Sequence, residues 1–295
     1  MDSQTTTPKT EDYEIIVMEE YALNAKKKLG SGSSGTVYKG RHLFKDNKVA
    51  IKLVTWDDNK TESFRYETMM LLALSCVKRV PKLFKTGRQG NYAIFIMELL
   101  GPSLERLMNY CDGKFSLGTT LRISVQILKI LRRIHERGIV LRYLKPANMV
   151  IGREDKDHIY LIDFSLARKY ISCYHHINYQ KISRVEGNRW FISLNIHEKI
   201  APSRRDDIEC LGYNMVYFMK GKFPWCKCRH RAEVYEVKKS TSLDELCEGL
   251  PEEFKEIIQY ARNLDFYAEP DYKYLKKLLY KCAEKNGKNR KIPKY

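Results

Sequence analysis

The stretch Gly30-Ser-Gly-Ser-Ser-Gly35, continued by Thr36-Val-Tyr38 and Val49-Ala-Ile-Lys52, decides how the first third of this chain is read. Alone, Gly-Ser-Gly-Ser-Ser-Gly has the composition of a flexible linker. The β-forming residues on both sides make it a glycine turn between strands, with the spacing G-x-G-x-x-G. Glycines at that spacing let backbone N–H groups approach an anion such as a phosphate with no Cβ in the way. Lys52 puts one ammonium on an otherwise apolar strand, where it needs an anionic partner to be buried. Glu62 and Glu67 on the following helix compete for that place. Glu67 is preferred, because Met70 and Leu71, three and four residues on, give it a core-facing helix side.

Outward from this stretch, the first third alternates short β-rich runs with turn residues: 22–29, 36–43, 48–54, 82–86 and 92–99. One helix, roughly 61–74, interrupts them, with Phe64, Met70, Leu71 and Leu74 on one apolar side. From Ser103 onward helical periodicity takes over, at 119–136, 207–220, 251–263 and 271–285. The expected class is α+β: an antiparallel β lobe with one helix over about 21–97, a hinge at 98–101 and an α-rich lobe over 102–287. Residues 1–20 read as a flexible tail and 288–295 as a basic one.

At 295 residues the chain can bury a full core, and its 43% hydrophobic and 30% charged residues fit a globular protein rather than a disordered one. Eight cysteines follow no disulfide framework and the polar N-terminus has no signal-peptide pattern, so an intracellular protein, cytoplasmic or nuclear, with reduced thiols is expected. The densest apolar run, 208–219, is too short to span a bilayer and reads as a buried helix. A net charge of +17 favours anionic partners. The runs Lys26-Lys-Lys28 and Lys238-Lys239 read as solvated surface, with no nucleic-acid motif beside them. Cys226-x-Cys228-x-His230, with His175-His176 elsewhere, does not complete four zinc ligands and reads as a turn with incidental cysteines.

Two later segments carry chemistry. Leu141-Arg-Tyr-Leu-Lys-Pro-Ala-Asn148 follows an amphipathic helix, and Leu161-Ile-Asp-Phe-Ser165 follows a short hairpin. Together they match the catalytic loop and the metal loop of protein kinases. Asn148 and Asp163 supply oxygen ligands of the kind Mg²⁺ prefers, and Lys145 a charge for the transferred phosphate.

The resemblance is closer than to kinases in general. Met97-Glu-Leu-Leu-Gly-Pro-Ser-Leu-Glu105, Ser203-Arg-Arg-Asp-Asp-Ile-Glu-Cys-Leu-Gly-Tyr213, Ser193-Leu-Asn195, Phe223-Pro-Trp225 and Glu269-Pro-Asp-Tyr272 resemble the casein kinase 1 family over roughly residues 21–287. The resemblance implies a bilobal fold, ATP and Mg²⁺ as cofactors, and transfer to Ser and Thr near acidic or phosphorylated residues. It implies that ATP is held by Gly30, Ser31, Gly32, Ser33, Ser34, Gly35, Val37, Ala50, Lys52 and Glu67, with Met97 as gatekeeper and Glu98, Leu99 and Leu100 as the hinge. It makes Asp207 a buried carboxylate that ties down the catalytic loop, and Arg189 and Gly221 parts of a substrate-anion site. A second basic contact belongs after Trp225, where Lys227, Arg229, His230 and Arg231 all compete. Acidic or phosphorylated protein partners and a monomer are expected, with no membrane or nucleic-acid partner.

The departures from that pattern bear on activity. Tyr143 stands where the family has the aspartate that accepts the substrate hydroxyl proton, and a phenol of ordinary pKa ~10 is a poor acceptor at neutral pH. Ser165 replaces a glycine and Ser34 an aromatic residue, both expected to loosen nucleotide closure. Glu186 adds negative charge by the substrate groove. General base catalysis supplies ~100- to 10,000-fold, while positioning and electrostatics carry most of phosphoryl transfer. Three functions therefore stand open: a nucleotide-binding pseudokinase acting as scaffold or regulator, a weakly active Ser/Thr kinase, and an anion-binding module without nucleotide.

Overall fold

The computed structural model describes residues 14–32, 34–45, 47–57 and 61–287. Ser33 and both expected tails, over 1–13 and 288–295, lie outside them. The chain divides into two compact units, one formed by residues up to 75 and 80–101, the other by 76–79 and 102 onward.

The first unit is built on an antiparallel six-stranded sheet of β1 (Glu14–Val17), β2 (Tyr21–Gly32), β3 (Gly35–His42), β4 (Lys48–Thr55), β5 (Leu83–Gln89) and β6 (Tyr92–Glu98), in the order β1-β2-β3-β4-β6-β5. Among its described residues the one helix, α1 (Thr61–Ala73), falls between β4 and β5. Strand alternation sorts β4 between two faces. Val49 and Ile51 join Val17, Tyr21, Leu23, Ile94 and Ile96 in one apolar cluster. Lys52 is on the other face, where α1 lies and Phe64 meets Phe95 at 4.8 Å between ring centroids.

The sheet starts earlier than the sequence suggests. Residues 14–17, expected within the flexible tail, form β1 and pair with β2 from Glu14↔Asn24 to Val17↔Tyr21. Ile15 and Ile16 are exposed, so this strand lacks the alternation that would mark it in sequence.

The second unit is mainly helical: α2 (Leu104–Tyr110), α3 (Leu117–His135), α4 (Leu194–His197), α5 (Arg204–Lys220), α6 (Arg231–Ser240), α7 (Leu243–Cys247), α8 (Glu252–Asn263) and α9 (Tyr272–Lys285). Its core forms where α3 packs on α5 and α9, and α5 on α8. The apolar run 208–219 lies within buried α5. Among the described residues no helix is long and apolar enough to cross a membrane. Four short strands carry the site: β7 (Ile139–Val140) pairs with β10 (Arg168–Lys169), and β8 (Met149–Ile151) with β9 (Ile159–Leu161).

Candidate active site

In the first unit the ladder aligns the glycine turn with the lysine strand. Gly30 lies opposite Val37, Val37 opposite Lys52, and Ala50 opposite Met97. At Gly35, φ is +118° and a Cβ would stand 2.5 Å from the Leu53 carbonyl oxygen, so only glycine fits. At Gly30 and Gly32, chain neighbours aside, no atom of the described residues lies within 4 Å of a Cβ position, so the space beside both is open. Ser31 and Thr36 share a hydroxyl hydrogen bond at 3.1 Å across the turn, and Ser34 is half-buried at its tip. Lys52 is 5% exposed, and its ammonium donates to both oxygens of Glu67 at 2.7 and 2.9 Å. Glu62 is exposed on the same helix. Along 97–100, Leu99 is buried, while Met97, Glu98 and Leu100 are half-buried. Glu98 donates its N–H to the Lys82 carbonyl at 2.9 Å, and its carboxylate accepts from the Lys82 N–H at 3.2 Å.

In the second unit, buried Asp207 on α5 holds the loop after β7. Its carboxylate accepts from the N–H groups of Leu141 and Arg142 at 2.7 and 2.9 Å, and contacts His135 Nε2 at 2.9 Å. Arg142 is thereby fixed at φ 66°, a left-handed conformation costly for a non-glycine residue. Beyond it, Lys145 donates to the Tyr143 hydroxyl at 2.8 Å, with its ammonium 4.3 Å from the ring centroid. The phenol therefore holds the only ammonium of the loop by a charged hydrogen bond and a cation–π contact.

Asn148 donates its side-chain N–H to the Tyr143 carbonyl at 3.1 Å, which leaves its oxygen as the end suited to a hard cation. The Ile162 N–H donates to the Asn148 carbonyl at 2.9 Å, so the β8–β9 hairpin sets Asp163 beside Asn148. The oxygen donors brought together here fit Mg²⁺. Asp163, at φ 67°, is the strained residue of its loop. At Ser165, where looser nucleotide closure is expected, the hydroxyl and N–H donate to Asp163 Oδ1 at 2.7 and 3.3 Å and tie the loop to that carboxylate.

Glu186 does not leave a free negative charge. Its carboxylate accepts from Arg142 at 2.8 Å and lies 3.8 Å from Arg168. Burial disfavours the Arg142 charge and Glu186 opposes that effect. Next to it, Gly187 has φ +100°, and a Cβ there would meet Ile192 at 2.6 Å and the Arg142 carbonyl at 3.0 Å. The glycine lets this segment approach the loop.

Arg189 is exposed, and Arg231, half-buried on α6, donates to the Gly187 carbonyl at 3.2 Å. Burial first, then Arg189 and Arg184, disfavour the charge on Arg231. No carboxylate among the described residues pairs with these three guanidinium groups, and Arg231 Nη1 and Trp190 Nε1 are buried without a partner among them. Of Lys227, Arg229, His230 and Arg231, which compete in the sequence, Arg231 is the one whose side chain reaches the Gly187 carbonyl among the described residues. Gly221 serves otherwise than expected. It ends α5 at φ 71° with its N–H donated to Tyr217 at 2.7 Å, so that group is unavailable to an anion. Cys226 and Cys228 are half-buried, and Cys226 Sγ accepts from the Phe223 N–H at 3.2 Å. Among the described residues no three metal-type side chains cluster.

A glycine turn over a strand, a buried lysine–glutamate pair on sheet and helix, and a loop held by a helix carboxylate are the parts of a phosphoryl-transfer domain. The family model described as "Protein kinase domain" matches residues 23–293. The chain belongs to the protein kinase domain family, and its β-rich and α-rich units are the two lobes of that fold.

Proposed function

We propose that this is a casein kinase 1-like domain that binds ATP and Mg²⁺ and has little or no phosphotransfer activity, acting as a scaffold or regulator toward acidic or phosphorylated proteins. The observation that carries the reading is the Tyr143–Lys145 contact at 2.8 Å. Position 143 lacks a carboxylate to accept a hydroxyl proton, and the phenol also engages the ammonium needed to neutralise the transferred group. Mg²⁺, held by Asn148 and Asp163, would supply charge neutralisation at the ATP phosphates. Lys52, oriented by Glu67, would bind phosphate oxygens, and the glycine turn, with no side chain at Gly30 or Gly32, would let them approach. Arg184, Arg189 and Arg231 would take an acidic or phosphorylated side chain of the partner.

Phosphate transfer to an acidic or primed peptide, measured beside ATP–Mg²⁺ thermal stabilisation, tests this. The expected result is stabilisation that Lys52→Ala removes, with transfer far below an ordinary ~1 to 100 per second. Turnover in that range would overturn the pseudokinase reading in favour of an active kinase. No stabilisation by ATP–Mg²⁺ would leave the anion-binding module.

A further inference from the structure

Lys238 has a place in the fold that its place in the sequence does not suggest. Lys238-Lys239 reads as solvated surface, yet Lys238 is 0% exposed. Its ammonium donates to the carbonyls of Ile192 at 2.8 Å, Trp190 at 3.0 Å and Arg189 at 3.4 Å. It lies 4.5 and 4.9 Å from the ring centroids of Tyr213 and Trp225. Two more donors reach the same backbone: Trp225 Nε1 to the Trp190 carbonyl and His197 Nε2 to that of Arg189, both at 3.1 Å.

Core stability alone does not call for a lysine here. Burying an ammonium is costly, and an apolar side chain of similar volume avoids that cost. The nearby carboxylate, Glu209, is engaged by the Tyr213 hydroxyl at 2.6 Å and by Arg262 at 3.2 Å. What the ammonium does, and methionine cannot, is draw the carbonyls of 189, 190 and 192 inward onto one point. With its carbonyl so fixed, Arg189 carries its exposed guanidinium within electrostatic reach of Arg231.

We propose that Lys238 is the positioning residue of the anion site: it holds the 189–192 backbone so that the Arg189 and Arg231 guanidinium groups are set for a phosphate or carboxylate group before it arrives. This rests on the reading of Arg184, Arg189 and Arg231 as that site. The charge of Lys238 supports the site only while it is protonated. The groups facing it are Glu209, Cys210 and Tyr213 from α5, Arg262 from α8, Arg231 from α6, His197 from α4, and Trp225. Burial pushes Lys238 down to about 7, against the pull of Glu209. Burial and then Lys238 push His197 down to about 3, and burial pushes Cys210 and Tyr213 well up, so these three are uncharged around neutral pH.

Calorimetric titration of the full chain with sodium sulfate tests the proposal, because sulfate keeps its charge across the range. Wild-type affinity should weaken about tenfold between pH ~6 and ~8.5, the size of one charged hydrogen-bonded contact. Lys238→Met should bind about tenfold more weakly at pH ~6 and lose the pH dependence. A pH-independent wild type, or a folded Lys238→Met with wild-type affinity, removes Lys238 from this role while the anion site stands. If the wild type binds no sulfate, or if Arg189→Ala and Arg231→Ala leave binding intact, the site itself fails and the proposal with it. Should Lys238→Met not fold, the wild-type pH profile decides alone.

Discussion

Replacing Tyr143 separates the two losses that the proposed function assigns to this loop. In Tyr143→Phe the ring stays and the hydroxyl that accepts from Lys145 at 2.8 Å goes. A hydrogen bond to a charged group is worth about 1.5–3 kcal/mol, so releasing Lys145 should speed transfer by roughly tenfold to a hundredfold where its charge limits the rate. The ring contact at 4.3 Å remains, worth ~0.5–1 kcal/mol for a partly exposed pair, and trims that gain toward the lower figure. Tyr143→Asp removes both contacts and restores a proton acceptor, adding ~100- to 10,000-fold. The expected order of single-turnover phosphate transfer to an acidic peptide is therefore Asp well above Phe, and Phe modestly above wild type. In a Lys145→Met background the Phe gain should vanish while part of the Asp gain survives. An Asp variant no faster than wild type, with ATP–Mg²⁺ binding intact, would show that the defect lies elsewhere. A Phe variant as fast as Asp would show that the proton acceptor contributes nothing.

Glu67→Ala should cost about 3–5 kcal/mol in denaturant unfolding, because it leaves the buried Lys52 charge uncompensated. A wild-type unfolding midpoint would contradict this. Gly187→Ala should destabilise by about 1–3 kcal/mol through its positive φ and the contact with Ile192, whereas a wild-type melting temperature would mean the segment can yield. His197 is pushed down to about 3 by burial, below the ordinary histidine value of 6.5. Between those values the unfolded chain binds more protons, so its contribution to stability is present above pH 6.5 and is lost as pH falls toward 3. Asp206, pushed up to about 6 by burial, acts oppositely, gaining stability as pH falls from 6 toward 3.8. His197→Phe should therefore lose less stability than wild type between pH ~7 and ~4.5, and parallel losses would count against the assignment.

How much of this was legible in the sequence varied with how local the cause was. The glycine turn, the Lys52 strand and the long helices follow from short-range spacing, and the turn of helix between Glu67 and Leu71 was enough to choose Glu67 over Glu62. Strand β1 was missed because four residues with two exposed isoleucines carry no alternation. The pair Lys238-Lys239 reads as surface because adjacent lysines usually both face water, and what holds Lys238 inside are the carbonyls of 189, 190 and 192, some 46 to 49 residues away. Glu186 was read as a loose charge because its arginine partner lies 44 residues earlier. Nor does an i, i+2 spacing foretell that Tyr143 and Lys145 touch, since the loop has no regular period.

The anchoring of the loop by Asp207 has a consequence for how the sequence at position 143 can vary. Asp207 grips the main chain at Leu141 and Arg142 and the ring of His135, and it makes no bond to the side chain at 143. The path of the loop is thus specified by its neighbours, and that one position can change its chemistry with little effect on folding. A single nucleotide change converts an aspartate codon into a tyrosine codon, so one step exchanges a carboxylate for a phenol at this position while the Asp207 anchoring of the loop stays as it is.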